Sequence, residues 1–335
     1  MSPLCKEVNH VSKHYTLWKI KGWTRRERQV IEAVKDVSFK VEPGRALALI
    51  GPNGAGKSTM IKLLCGILSP TQGSIKVLGM DPFKDRSRLA YRISSVLGQR
   101  SQLWYHLPPI DTYHLLGRIY DIDRSELKER MKELIDLFDL STFLYQPVRK
   151  LSLGQRMRCE IAAALIHKPE ILFLDEPTIG LDVVARSMVI DILKDLNQRK
   201  NVTIILTSHD TDDIERICED VIVLNEGRIV LESKIREMRK SFFHSKIVEI
   251  EFAEQPSDWN LLPGARVIDQ NGPVVRLEVD LKTCDVNEVV SRIVAHNTVR
   301  NITIQDPPLE SIIQHIYLSG YLAGREAEQN AQIDG

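Results

Sequence analysis

Two rhythms of apolar residues divide the chain. Up to about residue 240, short apolar runs alternate with longer amphipathic stretches. Residues 33–41 alternate apolar and polar positions, the period of a strand with one buried face, and Pro43-Gly44 then turns the chain. Ala46–Ile50 is a continuous apolar run, the mark of a strand buried on both faces. A glycine-rich turn follows, then a helix over about 57–67. Ile93–Leu97 reads as a strand. Helical periodicity runs through 110–140, on Leu127, Met131, Leu134, Ile135 and Phe138, and an alanine-rich helix covers 154–167. Further strands fall at 171–174, 202–206 and 220–224, with helices at about 183–199 and 211–217. Strands alternating with helices predict an α/β sheet that is largely parallel.

Beyond residue 240 the rhythm changes. Strand-like segments near 246–252, 265–269, 274–280 and 298–304, with a helix near 285–296, give the order strand, short helical turn, strand, strand, helix, strand. That order predicts a small ferredoxin-like domain. A helix at 309–321 carries Leu309, Ile312, Ile313 and Ile316 on one stripe, and a polar tail follows.

Charge agrees with this division. Residues 241–335 hold 7 Lys and Arg against 14 Asp and Glu, and residues 1–240 hold 38 against 31. The expected domains are therefore 1–240 and 241–335, with a helical part at about 100–168. The basic excess of the first is modest and scattered, which argues against nucleic acid as a partner. The five cysteines, Cys5, Cys65, Cys159, Cys218 and Cys284, are far apart and form no C-x-x-C, so buried thiols are expected rather than a metal site or disulfides. No apolar run approaches the roughly 18 residues that cross a bilayer. A cytosolic chain is expected, with any membrane role supplied by a partner.

Gly51-Pro52-Asn53-Gly54-Ala55-Gly56-Lys57-Ser58 fits G-x-x-x-x-G-K-[ST] in full and sits between a buried strand and a helix. Its glycines let backbone N–H groups converge on phosphate oxygens, and the helix N-terminus adds a dipole favourable to an anion. Lys57 would serve the β- and γ-phosphates of ATP, Ser58 would coordinate Mg²⁺, and Thr59 continues the binding segment. Ile171-Leu172-Phe173-Leu174-Asp175-Glu176 is an apolar strand ending in two acids at the carboxyl edge of a parallel sheet, where ligands of such sheets bind. Asp175 would hold the Mg²⁺ shell, and Glu176 would act as general base on the attacking water.

Leu151-Ser152-Leu153-Gly154-Gln155 lies 100 residues after Gly51 and 24 before Asp175. It resembles the L-S-G-G-Q signature of ATP-binding cassette proteins, with Leu153 in place of the first glycine. Ser152 is also a plain helix N-cap, and the same geometry makes an anion site. The resemblance covers about residues 5–235, with every cassette motif in family order. It implies a P-loop NTPase ABC cassette: a mostly parallel sheet core, an antiparallel β subdomain and an α-helical subdomain, here with a small C-terminal α+β domain. It further implies that Gln99 is the Q-loop glutamine that touches Mg²⁺ and water, with Gln102 as a rival. Gly180-Leu181-Asp182 is similar to the D-loop, and His209 to the switch histidine at the γ-phosphate. Tyr15 resembles the aromatic that stacks on adenine, with Trp18 and Trp23 as competitors. ATP hydrolysis would occur at two composite sites of a head-to-tail dimer. One protomer gives Lys57, Ser58, Gln99, Asp175, Glu176 and His209; the other gives Ser152, Gly154 and Gln155.

The load is a separate question. The chain resembles ABC-2-type exporter ATPases, whose permeases are separate integral membrane chains. That resemblance implies a second copy or a homologous ATPase as partner, permease subunits, and a peripheral place on the cytoplasmic face of the inner membrane. The alternative is a soluble cassette ATPase acting on ribosomes or DNA. Ribosome-acting members carry two cassettes in one chain, and coiled-coil members hundreds of residues between loop and signature. The stretch Gln99-Arg100-Ser101-Gln102-Leu103-Trp104-Tyr105-His106-Leu107-Pro108-Pro109 would suit permease docking, or else Leu103 and Trp104 pack inside the helical part. Residues 18–28, with Lys19, Lys21, Arg25, Arg26 and Arg28, read as a solvated hairpin tip or as a contact to anionic lipid.

Overall fold

The structure is a computed structural model that describes residues 6–21, 25–98, 101–208, 210–242, 245–254, 264–313 and 316. The chain divides into two units, Met1–Lys234 and Ile235–Gly335. Among the described residues, no helix is long and apolar enough to cross a membrane.

The first unit runs β1 (Lys6–Lys21), β2 (Arg25–Val41), β3 (Ala46–Ile50), α1 (Lys57–Leu64), β4 (Gln72–Val77), α2 (Arg86–Leu89), β5 (Ile93–Leu97), α3 (Pro109–Ile119), α4 (Arg124–Leu137), α5 (Leu153–Ala164), β6 (Ile171–Asp175), α6 (Val183–Lys200), β7 (Thr203–Thr207), α7 (Thr211–Ile217), β8 (Asp220–Asn225) and β9 (Arg228–Lys234). Its main sheet has the order β5-β6-β7-β3-β8-β9. Pairing is parallel except at β9, which lies antiparallel on β8. The continuous apolar runs form the middle of this sheet because helices cover both of its faces. Every residue of β3 and β7 is buried. Leu49, Phe173 and Ile205 pack with Met60, Ile61 and Leu64 of α1 in one cluster. Val8, Val34 and Val37 join that cluster from an antiparallel sheet of order β2-β1-β4.

The structure refines several expectations. Residues 18–21 and 25–28 continue the β1–β2 hairpin, with backbone pairs from Trp18↔Arg28 to Lys21↔Arg25. The tip and the side chains of the five cations there lie outside the described residues. The periodicity over 110–140 belongs to two helices, not one. Asp121 adopts a left-handed φ of 53° after α3, and the Asp123 carboxylate accepts the Ser125 N–H at 2.9 Å to start α4. Apolar spacing carries across that break, so only the aspartates marked it. The edge strands β4 and β9 had no apolar run to announce them, since only alternate residues are covered.

The second unit comprises α8 (Ile235–Phe242), β10 (Ser245–Phe252), β11 (Ala265–Asn271), β12 (Val274–Asp280), α9 (Val286–His296) and β13 (Val299–Gln305). Its sheet has the order β11-β12-β10-β13, with antiparallel neighbours throughout. Val248, Ile250, Phe252, Val275, Leu277 and Val279 bury one face of that sheet, with Val289 and Ile293 of α9 in the same cluster. Residues 309–313 are helical, with Leu309, Ile312 and Ile313 buried. The short turn expected between the first two strands of this unit falls at 255–263, outside the described residues.

Phe173 is fully buried in the central cluster. Phe173→Ala should destabilise the first unit by roughly 3–5 kcal/mol, read as a lower urea midpoint at unchanged slope.

Candidate functional site

Parallel pairing places the carboxyl ends of four strands side by side. Asp175 of β6 pairs with Leu97 of β5 and with Thr207 of β7, and Thr207 pairs in turn with Leu49 of β3. The Gly51–Ser58 turn leaves the same edge and enters α1. Gly56 caps that helix with a left-handed φ of 103°. A Cβ on Gly56 would lie 2.4 Å from the Ala33 carbonyl oxygen, so no other residue fits there. The close approach shows that β2 runs directly behind the loop. Tyr15 of β1 pairs with Ile31 of β2, two residues from Ala33, and its ring faces the Lys13 ammonium at 5.7 Å.

Lys57 is buried, and its ammonium donates to the Gly51 carbonyl at 2.6 Å and the Pro52 carbonyl at 3.2 Å. Burial pulls its pKa below the ordinary lysine value, while the carboxylates of Glu176 and Asp175 push the other way. The Ser58 hydroxyl donates to Asp175 Oδ1 at 3.2 Å, and the Thr207 hydroxyl donates to the same oxygen at 2.7 Å. The Glu176 N–H reaches Thr207 Oγ1 at 3.0 Å and the Thr207 carbonyl at 3.2 Å. Glu176 itself stands at a left-handed φ of 56°. Lys57, Ser58, Asp175 and Glu176 are thus gathered at one edge: a cation, a hydroxyl and two acids around a turn of backbone N–H groups. Such a set can hold a polyphosphate and a hard divalent cation and can take a proton from water.

Gln99 and His209 lie outside the described residues. Their neighbours are at this edge: Gly98 donates its N–H to the Asp175 carbonyl at 3.1 Å, and Ser208 follows Thr207. Gln102, the rival, is engaged elsewhere, its amide bound to the Ser95 carbonyl.

The signature segment is built separately. The Ser152 hydroxyl accepts the Gln155 N–H at 3.2 Å, and the Gln155 side chain accepts the Ser152 N–H at 2.9 Å, a complete capping box on α5. Among the described residues, no hydrogen bond joins it to the Gly51–Ser58 loop. A Cβ on Gly154 would lie 2.5 Å from Ala185 Cβ on α6. Leu153 is partly exposed, with its Cδ2 3.0 Å from where a Cβ on Gly180 would stand.

The ABC transporter family profile matches residues 34–179. The chain is 32% identical over 215 residues to the ABC transporter ATP-binding protein NatA of Bacillus subtilis, covering 64% of this chain and 87% of that protein. The chain belongs to the ABC transporter family. It is a cassette that binds ATP and an ABC-type ATPase. The Nod factor export ATP-binding protein I of Cupriavidus metallidurans is 33% identical over 240 residues, 71% of this chain and 78% of that one. A dimeric structure of the cassette MJ0796 in a post-hydrolysis state bound to ADP and Pi matches at a TM-score of 0.60 and 26% identity, over 69% of this chain and 99% of that one.

Within this cassette, three residues of the site's surroundings had no role in the sequence reading. Thr207 fell just past the strand expected at 202–206, and the structure makes it the last residue of β7. Asp213, almost fully buried, accepts the Thr178 hydroxyl and, at 2.6 Å, Arg186 Nε, tying the segment after Glu176 to α6 and α7. Glu160, buried on α5, accepts the Ser101 hydroxyl and, at 3.0 Å, the Gln102 N–H. Burial raises the Glu160 pKa against the pull of those donors. An acid within an alanine-rich helix was the one visible signal of it. Leu103 is buried, as the packing reading expects, but Trp104, which that reading also placed inside, is exposed, as is Tyr105.

Gly154→Ala should destabilise the cassette by about 1–3 kcal/mol, because α5 and α6 cannot separate without losing their packing. Adding Ala185→Gly should recover all but about 1 kcal/mol, the helix cost of that glycine. Thermal melts of the two single variants and the double variant read the coupling.

Proposed function

We propose that this cassette is the ATP-binding and hydrolysing subunit of an ABC-2-type membrane exporter, closing head-to-tail on a second copy or a homologous subunit to drive a separate permease. The observation that carries the reading is the split of the chemistry. One set of groups surrounds the phosphate loop, and a capped helix N-terminus carrying Ser152 stands on another element. The first set binds and cleaves ATP: Lys57 and the loop N–H groups neutralise the phosphates, and Glu176 takes the proton of the attacking water. Ser58 Oγ and the Asp175 carboxylate, 3.2 Å apart, are hard oxygen donors that suit Mg²⁺. When bound, Mg²⁺ would offset charge on the phosphate oxygens. By family resemblance, Gln99 attends Mg²⁺ and water, His209 the γ-phosphate and Tyr15 the adenine. Ser152, Gly154 and Gln155 of the other subunit would complete the site, since a helix N-terminus favours an anion.

Two surfaces support the assembly. Ile179, Val183 and Val184 flank Asp182 with mostly exposed side chains, and apolar area beside a polar turn suits a subunit interface. Trp104, Tyr105 and Leu107 form an exposed apolar group after the Q-loop segment, which suits a permease contact. The export assignment draws on the name of the Nod factor export relative. The permease would hold the cassette on the cytoplasmic face of the inner membrane, and the reading includes no nucleic acid.

Glu176→Gln should keep ATP affinity and lower kcat by about 10²–10⁴-fold, the usual worth of a general base. An ATP-bound dimer should then accumulate on gel filtration; normal turnover would exclude Glu176 as the base. Ser152→Arg should abolish hydrolysis while the monomer still binds ATP. Loss of monomer binding would place Ser152 within its own nucleotide site instead.

A further inference from the structure

We infer that Thr207 is the positioning residue for both acids of the nucleotide site, its hydroxyl orienting Asp175 and holding the backbone of Glu176; the inference rests on the ATPase assignment. Thr207 ends β7, is fully buried, and is paired in parallel with Asp175 at the end of β6. A hydroxyl has one proton to give and lone pairs to receive. Thr207 uses both, giving its proton to Asp175 Oδ1 at 2.7 Å and receiving the Glu176 N–H at 3.0 Å.

Each contact fixes a different degree of freedom. Asp175 Oδ1 takes a second donor from Ser58 at 3.2 Å, and two donors on one oxygen hold the carboxylate plane. Glu176, at φ 56°, occupies a backbone region that long side chains avoid, so something must hold it there. The Thr207 hydroxyl and carbonyl are the two acceptors of its N–H. Because Glu176 leaves its strand in this conformation, the backbone sets the direction in which its side chain departs. Valine would fill the same space as Thr207 and pair equally well in the strand, but it would make neither contact.

The test compares the full chain with Thr207→Val and Thr207→Ser. Steady-state ATPase, nucleotide affinity in EDTA and hydrogen exchange at the Glu176 amide are measured for each. Thr207→Val should lower kcat about tenfold or more, as for one lost hydrogen bond to a charged group. KM and the EDTA affinity should stay within about twofold, because the phosphate loop is untouched. The Glu176 amide should exchange faster, and Thr207→Ser should restore kcat and protection. A Thr207→Val chain with wild-type kcat overturns the inference. So does a serine variant as slow as the valine one, since that assigns the effect to the lost methyl group. If the valine chain fails to fold, Thr207→Ala is read in the same way. If the wild-type chain alone hydrolyses no ATP, that bears on the ATPase assignment, and amide exchange decides Thr207 by itself: unchanged protection in the valine chain sinks it.

Discussion

Parallel register is the constraint on which the site depends. β5, β6, β7 and β3 end together because Leu97 pairs with Asp175, Asp175 with Thr207, and Thr207 with Leu49. A slip of one residue in any of these pairings would turn the ending side chain to the opposite face of the sheet. The apolar interiors of β3, β6 and β7 prevent it, since their residues are buried and a shifted strand would bring polar residues into the core. The core therefore does more than stabilise the cassette. It delivers a lysine, a hydroxyl and two acids, from positions far apart in the chain, to one edge.

At that edge the structure departs from regular geometry, and it does so where chemistry needs it. Gly56 and Glu176 both adopt left-handed backbone, one to let a strand pass behind the loop and the other to turn an acid out of its strand. Left-handed conformation at a glutamate is unfavourable by about 1–2 kcal/mol. The hydrogen bonds from its N–H to Thr207 offset that cost. The buried ammonium of Lys57 follows the same logic. Two carbonyls and two nearby acids favour its charged form against the burial that lowers its pKa.

Much of this was legible in the sequence where one local pattern decides the outcome. The phosphate loop has fixed spacing, and strands buried on both faces, such as β3 and β6, read as unbroken apolar runs. The signature segment was legible for a similar reason, because a serine before a glutamine three residues on is a helix start whatever else it does. The remainder depended on contacts between distant positions. Thr207 and Asp175 are 32 residues apart, and nothing in a β-branched residue at a strand end distinguishes a hydrogen-bond partner from a good strand former. Asp213 lies in a run of acids that looks solvated, yet it is almost fully buried between Thr178 and Arg186. The split between α3 and α4 was hidden because apolar spacing continued across it. The edge strands β4 and β9 were hidden because half of each faces away from the core.

Glu160 gives α5 a mechanical property. It stands eight residues from Ser152, about 12 Å along a helix that rises 1.5 Å per residue. Its carboxylate holds the Ser101 hydroxyl and the Gln102 N–H, and the chain continues from there to the exposed Trp104 and Tyr105. The helix is thus a strut with the signature serine at one end and a surface loop lashed to its middle. A tilt at either attachment must be shared by the other or break a buried carboxylate's hydrogen bonds, and the same loop is tied a second time just ahead of the signature, where the Arg149 N–H donates to the Tyr105 carbonyl at 3.0 Å and the Val148 N–H to the Leu107 carbonyl at 3.1 Å.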